Sequence, residues 1–207
     1  MCEVIVLFDG YSNKDEDDVM EANCSCTLIK GPKTIIVDTM TAWDKDRLIQ
    51  ALAQNGVRPD DIDCVVCTHG HADHIGNNNL FTNAEHIVGC SVHRRTKFYK
   101  DLSKEDYHPC EGVKITATPG HTGEDVTVLV NTKNNGRVAI TGDLFEKEED
   151  IADPSIWKEQ CASEYLQNLQ AKMRWLIINT SDFIVPGHGP MFRVTEAMKK
   201  LVEYPGV

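Results

Sequence analysis

The chain has 207 residues, of which 41% are hydrophobic and 26% charged. That composition is typical of a soluble globular protein, so we predict a single domain over 1–207. The 21 Lys and Arg residues against 32 Asp and Glu residues give a net charge of −11, which argues against an extensive basic surface for nucleic acid. No run of about 18 apolar residues is present, so no membrane span is expected.

Periodicity along the chain indicates a mixed α/β class. Strands are predicted at 3–8, 26–30, 34–38, 62–67, 86–89, 113–118, 126–131, 137–141 and 183–185. Asn135-Gly136 between two alternating runs predicts a β-hairpin. Helices are predicted at 44–55, at 155–178, where large apolar residues recur every four positions, and from Thr195 toward Tyr204.

The segment from Thr68 to Gly76 is the most informative one, because three histidines and one aspartate fall within six residues. They are His69, His71, Asp73 and His74. Imidazole and carboxylate groups are preferred zinc ligands. The segment follows the predicted buried strand at 62–67, and functional loops gather at such strand ends. This pattern predicts a metal site.

Three later positions share one local pattern. His121, Asp143 and His188 each come after a predicted strand and directly after a glycine. For any one of them, a simple turn explains the pattern as well as a metal ligand does. Their occurrence together, after the histidine cluster and in this order, favours the metal site.

This order of motifs resembles that of the metallo-β-lactamase-fold hydrolases, and the resemblance spans nearly the whole chain. It implies an αββα sandwich, in which two mixed β-sheets are flanked by helices. It also implies two metal ions, with Asp38 orienting one ligand from behind. The implied ligands are His69, His71 and His121 for the first metal, Asp73, His74 and His188 for the second, and Asp143 as the bridge.

The resemblance narrows the metal and the reaction. Diiron members of the family carry Glu where this chain has His71, so zinc is expected. Asp143 stands where many antibiotic-degrading members have Cys, which argues against a dedicated β-lactamase. Zinc lowers the pKa of a bound water from about 16 to about 7, which supplies hydroxide for hydrolysis. Asp73 is an expected ligand and also a candidate proton acceptor. The alternative is an iron-containing sulfur dioxygenase, because members of that kind carry the same histidine motif.

The substrate is less constrained. The motif sequences resemble a subgroup to which endonucleolytic hydrolysis of RNA, notably histone pre-mRNA, is ascribed, and they imply a homodimer of the cytosol and nucleus. The main alternative is a small-molecule thioesterase or esterase of the glyoxalase II type, although its C-terminal helical domain is lacking. A non-catalytic metal-binding protein is a third reading. RNA contact needs a local basic patch, for which Arg94, Arg95 and Lys97 are the compact candidates.

Eight cysteines raise the question of a disulfide or a structural zinc site. Cys64 and Cys67 are three apart in a predicted strand and should point to opposite faces, so they should not share a ligand. With no signal peptide apparent, we expect buried, reduced thiols in the cytosol.

Two features near the expected site have open interpretations. The acidic run 146–150 indicates a surface loop, which could also form part of the rim of the site. Phe8, Tyr11, Phe145 and Trp157 are candidate pocket walls, but core packing explains each of them equally well.

Overall fold

The computed structural model describes residues 1–17 and 19–204. Its strands are β1 Glu3–Phe8, β2 Tyr11–Lys14, β3 Met20–Asn23, β4 Cys26–Lys30, β5 Thr34–Val37, β6 Cys64–Cys67, β7 Glu85–Val88, β8 Ser91–Arg94, β9 Lys97–Asp101, β10 Tyr107–Cys110, β11 Val113–Ala117, β12 Val126–Asn131, β13 Arg137–Gly142, β14 Phe183–Pro186 and β15 Phe192–Arg193. Its α-helices are α1 Lys45–Gln54, α2 Ala72–Ile75, α3 Ser155–Lys158, α4 Glu164–Thr180 and α5 Glu196–Leu201. Short 3-10 helices cover Ala42–Asp44, Pro59–Asp61, Asn78–Leu80 and Glu148–Ile151.

The strands form two mixed sheets and one separate hairpin. The first sheet has the order β1-β4-β5-β6-β7-β8-β9, and the second has the order β10-β11-β12-β13-β14-β15. The three strands β5, β6 and β7 are parallel, as are β13 and β14, while the other neighbours are antiparallel. The hairpin consists of β2 and β3.

Apolar side chains from both sheets meet in a central core. Ile35 of the first sheet and Val128 of the second are fully buried there. Helix α1 covers the outer face of the first sheet with Leu48 and Leu52. Helices α4 and α5 cover the outer face of the second, where Ile178 is buried. These four layers confirm the predicted αββα sandwich.

The predicted strands are all present, and the hairpin at Asn135-Gly136 joins β12 to β13. The sequence did not predict β2, β3, β8, β9, β10 or β15. Most of these are short strands at or near a sheet edge or in the separate hairpin. Their side chains are largely exposed, so the alternation of apolar and polar residues that marks a buried strand is weak there.

The prediction of a single long helix at 155–178 is wrong, because this segment forms two helices, α3 and α4. Ser163 has an extended backbone, and its side chain accepts a hydrogen bond from the backbone amide of Leu166. A serine in this position starts a new helix by satisfying a free amide group. Tyr165, one of the large residues at four-residue spacing in that segment, is 71% exposed.

The eight cysteines are free thiols. Cys64 faces the core between the sheets, and Cys67 faces the core under α1, which confirms their predicted opposite orientations. Within 1–17 and 19–204, no helix has both the length and the apolar character that crossing a membrane requires.

Candidate metal centre

The candidate ligands lie on loops at one edge of the sandwich. The loop after β6 carries His69 and His71, and His121 follows β11. Asp143 follows β13 directly, and His188 comes soon after β14. Because β6, β13 and β14 all end at this edge, residues far apart in the sequence meet there.

The first group of donors contains His69, His71, His121 and Asp143, whose facing atoms lie within 4.8 Å of one another. Nδ1 of His71 lies 2.9 Å from Nε2 of His69 and 3.0 Å from Nε2 of His121. Oδ2 of Asp143 lies 3.5 Å and 3.3 Å from those same two Nε2 atoms. Ligands at zinc bond lengths around a tetrahedron lie about 3.4 Å apart, so these separations fit one zinc ion.

The second group contains Asp73, His74 and His188, again within 4.8 Å. Oδ2 of Asp73 lies 3.7 Å from Nε2 of His74 and 3.8 Å from Nε2 of His188. Oδ1 of Asp143 lies 3.2 Å from Nε2 of His74. Oδ2 of Asp143, which faces the first group, also lies 3.3 Å from Nε2 of His188. The Asp143 carboxylate therefore contacts both groups of donors, as a bridging carboxylate would.

Unpartnered atoms support a cation at this place. Nε2 of His74 and Oδ1 of Asp143 are buried and have no hydrogen-bond partner among the described residues. Nδ1 of His71 faces two ring nitrogens but can donate to only one of them. Buried polar groups without partners are unfavourable, and a metal ion would satisfy all of these atoms. The seven predicted ligands thus fit two zinc ions, and their ligand roles remain a prediction.

Hydrogen bonds from outside the cluster fix several of the rings. Nδ1 of His188 lies 3.1 Å from the carbonyl oxygens of Tyr11 and Asn23. Nδ1 of His74 lies 2.9 Å from Oδ2 of Asp38. A proton held on Nδ1 in this way leaves the Nε2 lone pair free to bind a metal. Asp38 thus lies where the family resemblance implied.

Close packing around Asp143 requires glycine at two positions. A Cβ atom on Gly187 would lie 2.0 Å from Oδ1 of Asp143. Gly142 has a φ of 51°, and its Cβ would lie 2.3 Å from Oγ1 of Thr68. Left-handed backbone of this kind favours glycine. The glycines that precede Asp143 and His188 are therefore structural requirements of the site.

The electrostatics of the cluster are dominated by Asp143. Burial would raise the pKa of Asp143, but the rings of His74 and His188 hold it well below its ordinary value. Burial would likewise lower the pKa of His74, yet the carboxylates of Asp143 and Asp38 raise it well above its ordinary value. The carboxylates therefore favour positive charge at the centre of the cluster.

Two carboxylates at the site were not singled out as functional residues. Asp125 accepts hydrogen bonds from the backbone amides of Gly120 and Thr122 and so shapes the loop that carries His121. Glu146 is 1% exposed, and burial, followed by the charge of Asp143, raises its pKa to about 8. The acidic run 146–150 is thus not simply a surface loop, because Glu146 and Asp150 point inward. In the sequence, only the position of Glu146 and Asp150 shortly after Asp143 could have indicated that they lie near the site.

A groove of 290 Å³ opens over the cluster. Its lining residues are Ser12, Met20, Ala22, His71, Asp73, His121, Asp143, Gln160 and His188. The hairpin β2-β3 therefore forms one wall, and the break between α3 and α4 contributes Gln160. Phe145 and Trp157, considered above as pocket walls, do not line this groove. Both pack on the guanidinium of Arg174, and Trp157 also lines a separate cavity beside α4.

The basic segment Arg94, Arg95 and Lys97 lies at the opposite end of the first sheet from the groove. Cys67, which leads into the histidine loop, pairs with Val88 at the end of β7. β8 runs back from this end, so its last residue, Arg94, lies near the start of β7 and donates to the carbonyl of Asn83. The segment forms the tight turn between β8 and β9.

Comparison with protein families agrees with this geometry. Residues 19–205 match the family model of the metallo-β-lactamase superfamily. The chain belongs to this superfamily. Members of the superfamily bind metal ions, commonly zinc, which is consistent with the donor atoms described above.

Two superfamily members illustrate the relationship. Metallo-β-lactamase domain-containing protein 1 of Xenopus laevis is 42% identical over 195 residues, which cover 92% of this chain and 81% of that protein. The Homo sapiens protein of the same name is 33% identical over 223 residues, covering 92% and 82%. These matches confirm the subgroup indicated by the motif sequences.

Solved structures of the superfamily share the fold. A variant of AiiA from Bacillus thuringiensis, with N-decanoyl-L-homoserine bound at its active site, superposes with a TM-score of 0.66. The two chains are 22% identical, and the match covers 90% of this chain and 92% of that one. At that identity the likeness shows the fold alone.

Proposed function

We propose that this protein is a dinuclear zinc hydrolase that cleaves RNA. The observation that supports a hydrolase is the position of Asp143, whose carboxylate contacts histidines of both donor groups. A carboxylate shared in this way is the expected centre of a two-metal site. His69, His71 and His121 would hold one zinc ion, and Asp73, His74 and His188 the other.

The bound zinc ions would supply a nucleophilic hydroxide and polarise the scissile bond. Asp73 lines the groove and keeps 21% of its side chain exposed, so it can accept a proton and release it to solvent. Asp38 and the carbonyls of Tyr11 and Asn23 keep the protons of His74 and His188 on Nδ1. The chain's own groups therefore hold the ligand atoms in place before substrate binds.

RNA as the substrate is supported by the similarity to metallo-β-lactamase domain-containing protein 1 and by the subgroup's ascribed activity. The basic turn at Arg94 and Arg95 lies away from the groove, so it cannot guide the scissile phosphate. RNA binding that weakens as the salt concentration rises would favour the nuclease.

Hydrolysis of a small ester or lactone is the second candidate. The groove has only 290 Å³, and the side chains of Met20 and Ala22 form an apolar wall beside the ligands. The superposed AiiA structure binds N-decanoyl-L-homoserine in its active site. A short acyl substrate would suit such a wall.

The test is to incubate zinc-loaded protein with single-stranded RNA, a thioester and an N-acyl homoserine lactone. The Asp143→Ala variant should lose all hydrolysis, while Asp46→Ala, at an exposed position on α1, should keep it. RNA cleavage that depends on Asp143 supports the proposal. Acyl hydrolysis without RNA cleavage supports the second candidate. Full activity of Asp143→Ala in metal-depleted buffer contradicts both.

A further inference from the structure

The five histidine ligands differ in what holds the ring nitrogen that faces away from the cluster. His74 has Asp38, His188 has two backbone carbonyls, and His69 has Oγ1 of Thr68 at 3.2 Å. His71 is exposed, so water can form a hydrogen bond with its outward-facing ring nitrogen. His121 is different, because its Nδ1 is buried and has no hydrogen-bond partner among the described residues.

Glu146 is the acidic side chain that faces this nitrogen. Its Oε1 lies 3.9 Å from Nδ1 of His121. Both carboxyl oxygens of Glu146 are buried and lack a partner within 1–17 and 19–204. A donor and an acceptor that are both buried and both unpaired thus lie next to each other. A shift of about 1 Å would bring them to hydrogen-bond distance, and such bonds commonly shorten when an active site is assembled.

We infer that Glu146 is a positioning residue, which accepts a hydrogen bond from Nδ1 of His121 and thereby directs Nε2 toward His71 and Asp143. Nε2 already lies 3.0 Å from Nδ1 of His71 and 3.3 Å from Oδ2 of Asp143. A proton fixed on Nδ1 keeps the Nε2 lone pair available for the metal. The inference rests on the zinc site of the proposed function.

The backbone holds Glu146 in this position. Its amide donates to Oδ2 of Asp150 at 2.7 Å, and its carbonyl accepts from the amide of His188 at 2.7 Å. Asp150 is itself held by Arg174. The segment after Asp143 is therefore clamped on both sides, so that the Glu146 side chain is aimed at the site. Its carboxylate also lies beside Asp143 and His188, with the facing atoms of the three residues within 4.8 Å of one another.

The experiment compares wild type with Glu146→Leu, which removes the acceptor at similar volume, and Glu146→Gln, which keeps a neutral acceptor. Glu149→Gln, at an exposed position, is the control. Zinc affinity is measured by competition with a chelating dye, and the Nδ1 proton of His121 is followed by NMR of zinc-loaded, ¹⁵N-labelled protein. We expect affinity to fall about ten- to a hundredfold in Glu146→Leu, less in Glu146→Gln, and not in the control.

The Nδ1 proton of His121 should be protected from exchange in wild type and in Glu146→Gln but not in Glu146→Leu. If Glu146→Leu does not fold, Glu146→Gln tests the inference alone. Its zinc affinity must then fall while the Nδ1 proton of His121 stays protected from exchange. Unchanged affinity and exchange overturn the inference, as does the loss of one whole zinc ion, which would make Glu146 a ligand. Wild type that binds no zinc refutes the proposed function instead.

Discussion

Oδ2 of Asp38 lies 2.9 Å from Nδ1 of His74, and both side chains are almost completely buried. The other oxygen, Oδ1, accepts the backbone amide of Thr68 at 2.7 Å. Asp38 has a φ of 58°, a left-handed backbone that Asp and Asn adopt more readily than other side chains. One residue thus links the end of β5 to the histidine loop after β6.

Asp38→Asn should weaken zinc binding without unfolding the protein. Asn tolerates the same backbone and has the same shape, but it cannot supply the negative charge that favours a proton on Nδ1 of His74. We expect zinc affinity to fall about ten- to a hundredfold, measured by dye competition. Asp60→Asn, an exposed change on a 3-10 helix, is the control. Equal affinities in Asp38→Asn and wild type would contradict the prediction.

Gly187→Ala should disrupt the centre itself. The new methyl group would lie 2.0 Å from Oδ1 of Asp143, so the bridging carboxylate would have to move. We expect hydrolysis to be lost and fewer than two zinc ions to be bound, as measured by metal analysis. Gly123→Ala is the matched control, because a Cβ there meets nothing within 4 Å. A Gly187→Ala protein with full zinc content and activity would refute this.

Arg174→Met should lower stability. Arg174 is buried and bonds both carboxylate oxygens of Asp150, at 2.6 Å and 2.9 Å. Removing it leaves an unpaired buried carboxylate, which costs about 3–5 kcal/mol in the free energy of unfolding. Urea denaturation measures this. Arg58→Met, which breaks the exposed pair with Asp61, should change little.

Adding Asp150→Leu to Arg174→Met should restore part of that loss, since no unpaired charge then remains. A double variant as unstable as Arg174→Met alone would show that the charge is not the cause.

Asp44 should contribute to the acid sensitivity of folding. Burial would raise its pKa, but hydrogen bonds from Thr41 and Asn23 lower it below the ordinary value. A pKa lowered in the folded state gives stability that is present above the unfolded-state pKa and is lost as pH falls through the folded-state pKa. Asp44→Asn should therefore be less stable at neutral pH, by roughly 1–3 kcal/mol.

The same variant should show a shallower loss of stability on acidification, because the group that titrates is gone. Urea unfolding between pH 7 and pH 3 measures both curves. Parallel curves for wild type and Asp44→Asn would contradict the role of Asp44.

Local patterns in the sequence were sufficient for the buried strands. β6 is a continuous apolar run and β12 is mostly apolar, because both faces of these strands are covered, and such runs are visible without a structure. Edge strands such as β9 carry exposed residues, so no such pattern marks them. The break before Ser163 was missed for a related reason: the apolar spacing continues across it, and the main local mark of the new helix is one capping side chain.

The sequence by itself determined the family, the buried strands and the seven candidate ligands, because these depend on residue types and short spacings that are present along the chain. Only the tertiary structure decided which atoms meet. It placed Glu146 against His121, moved the basic turn at Arg94 to the far end of the sheet, and set Asp143 between two groups of donors. These relations depend on strand direction and on how the sheets stack, and contacts between distant segments follow from packing rather than from local sequence.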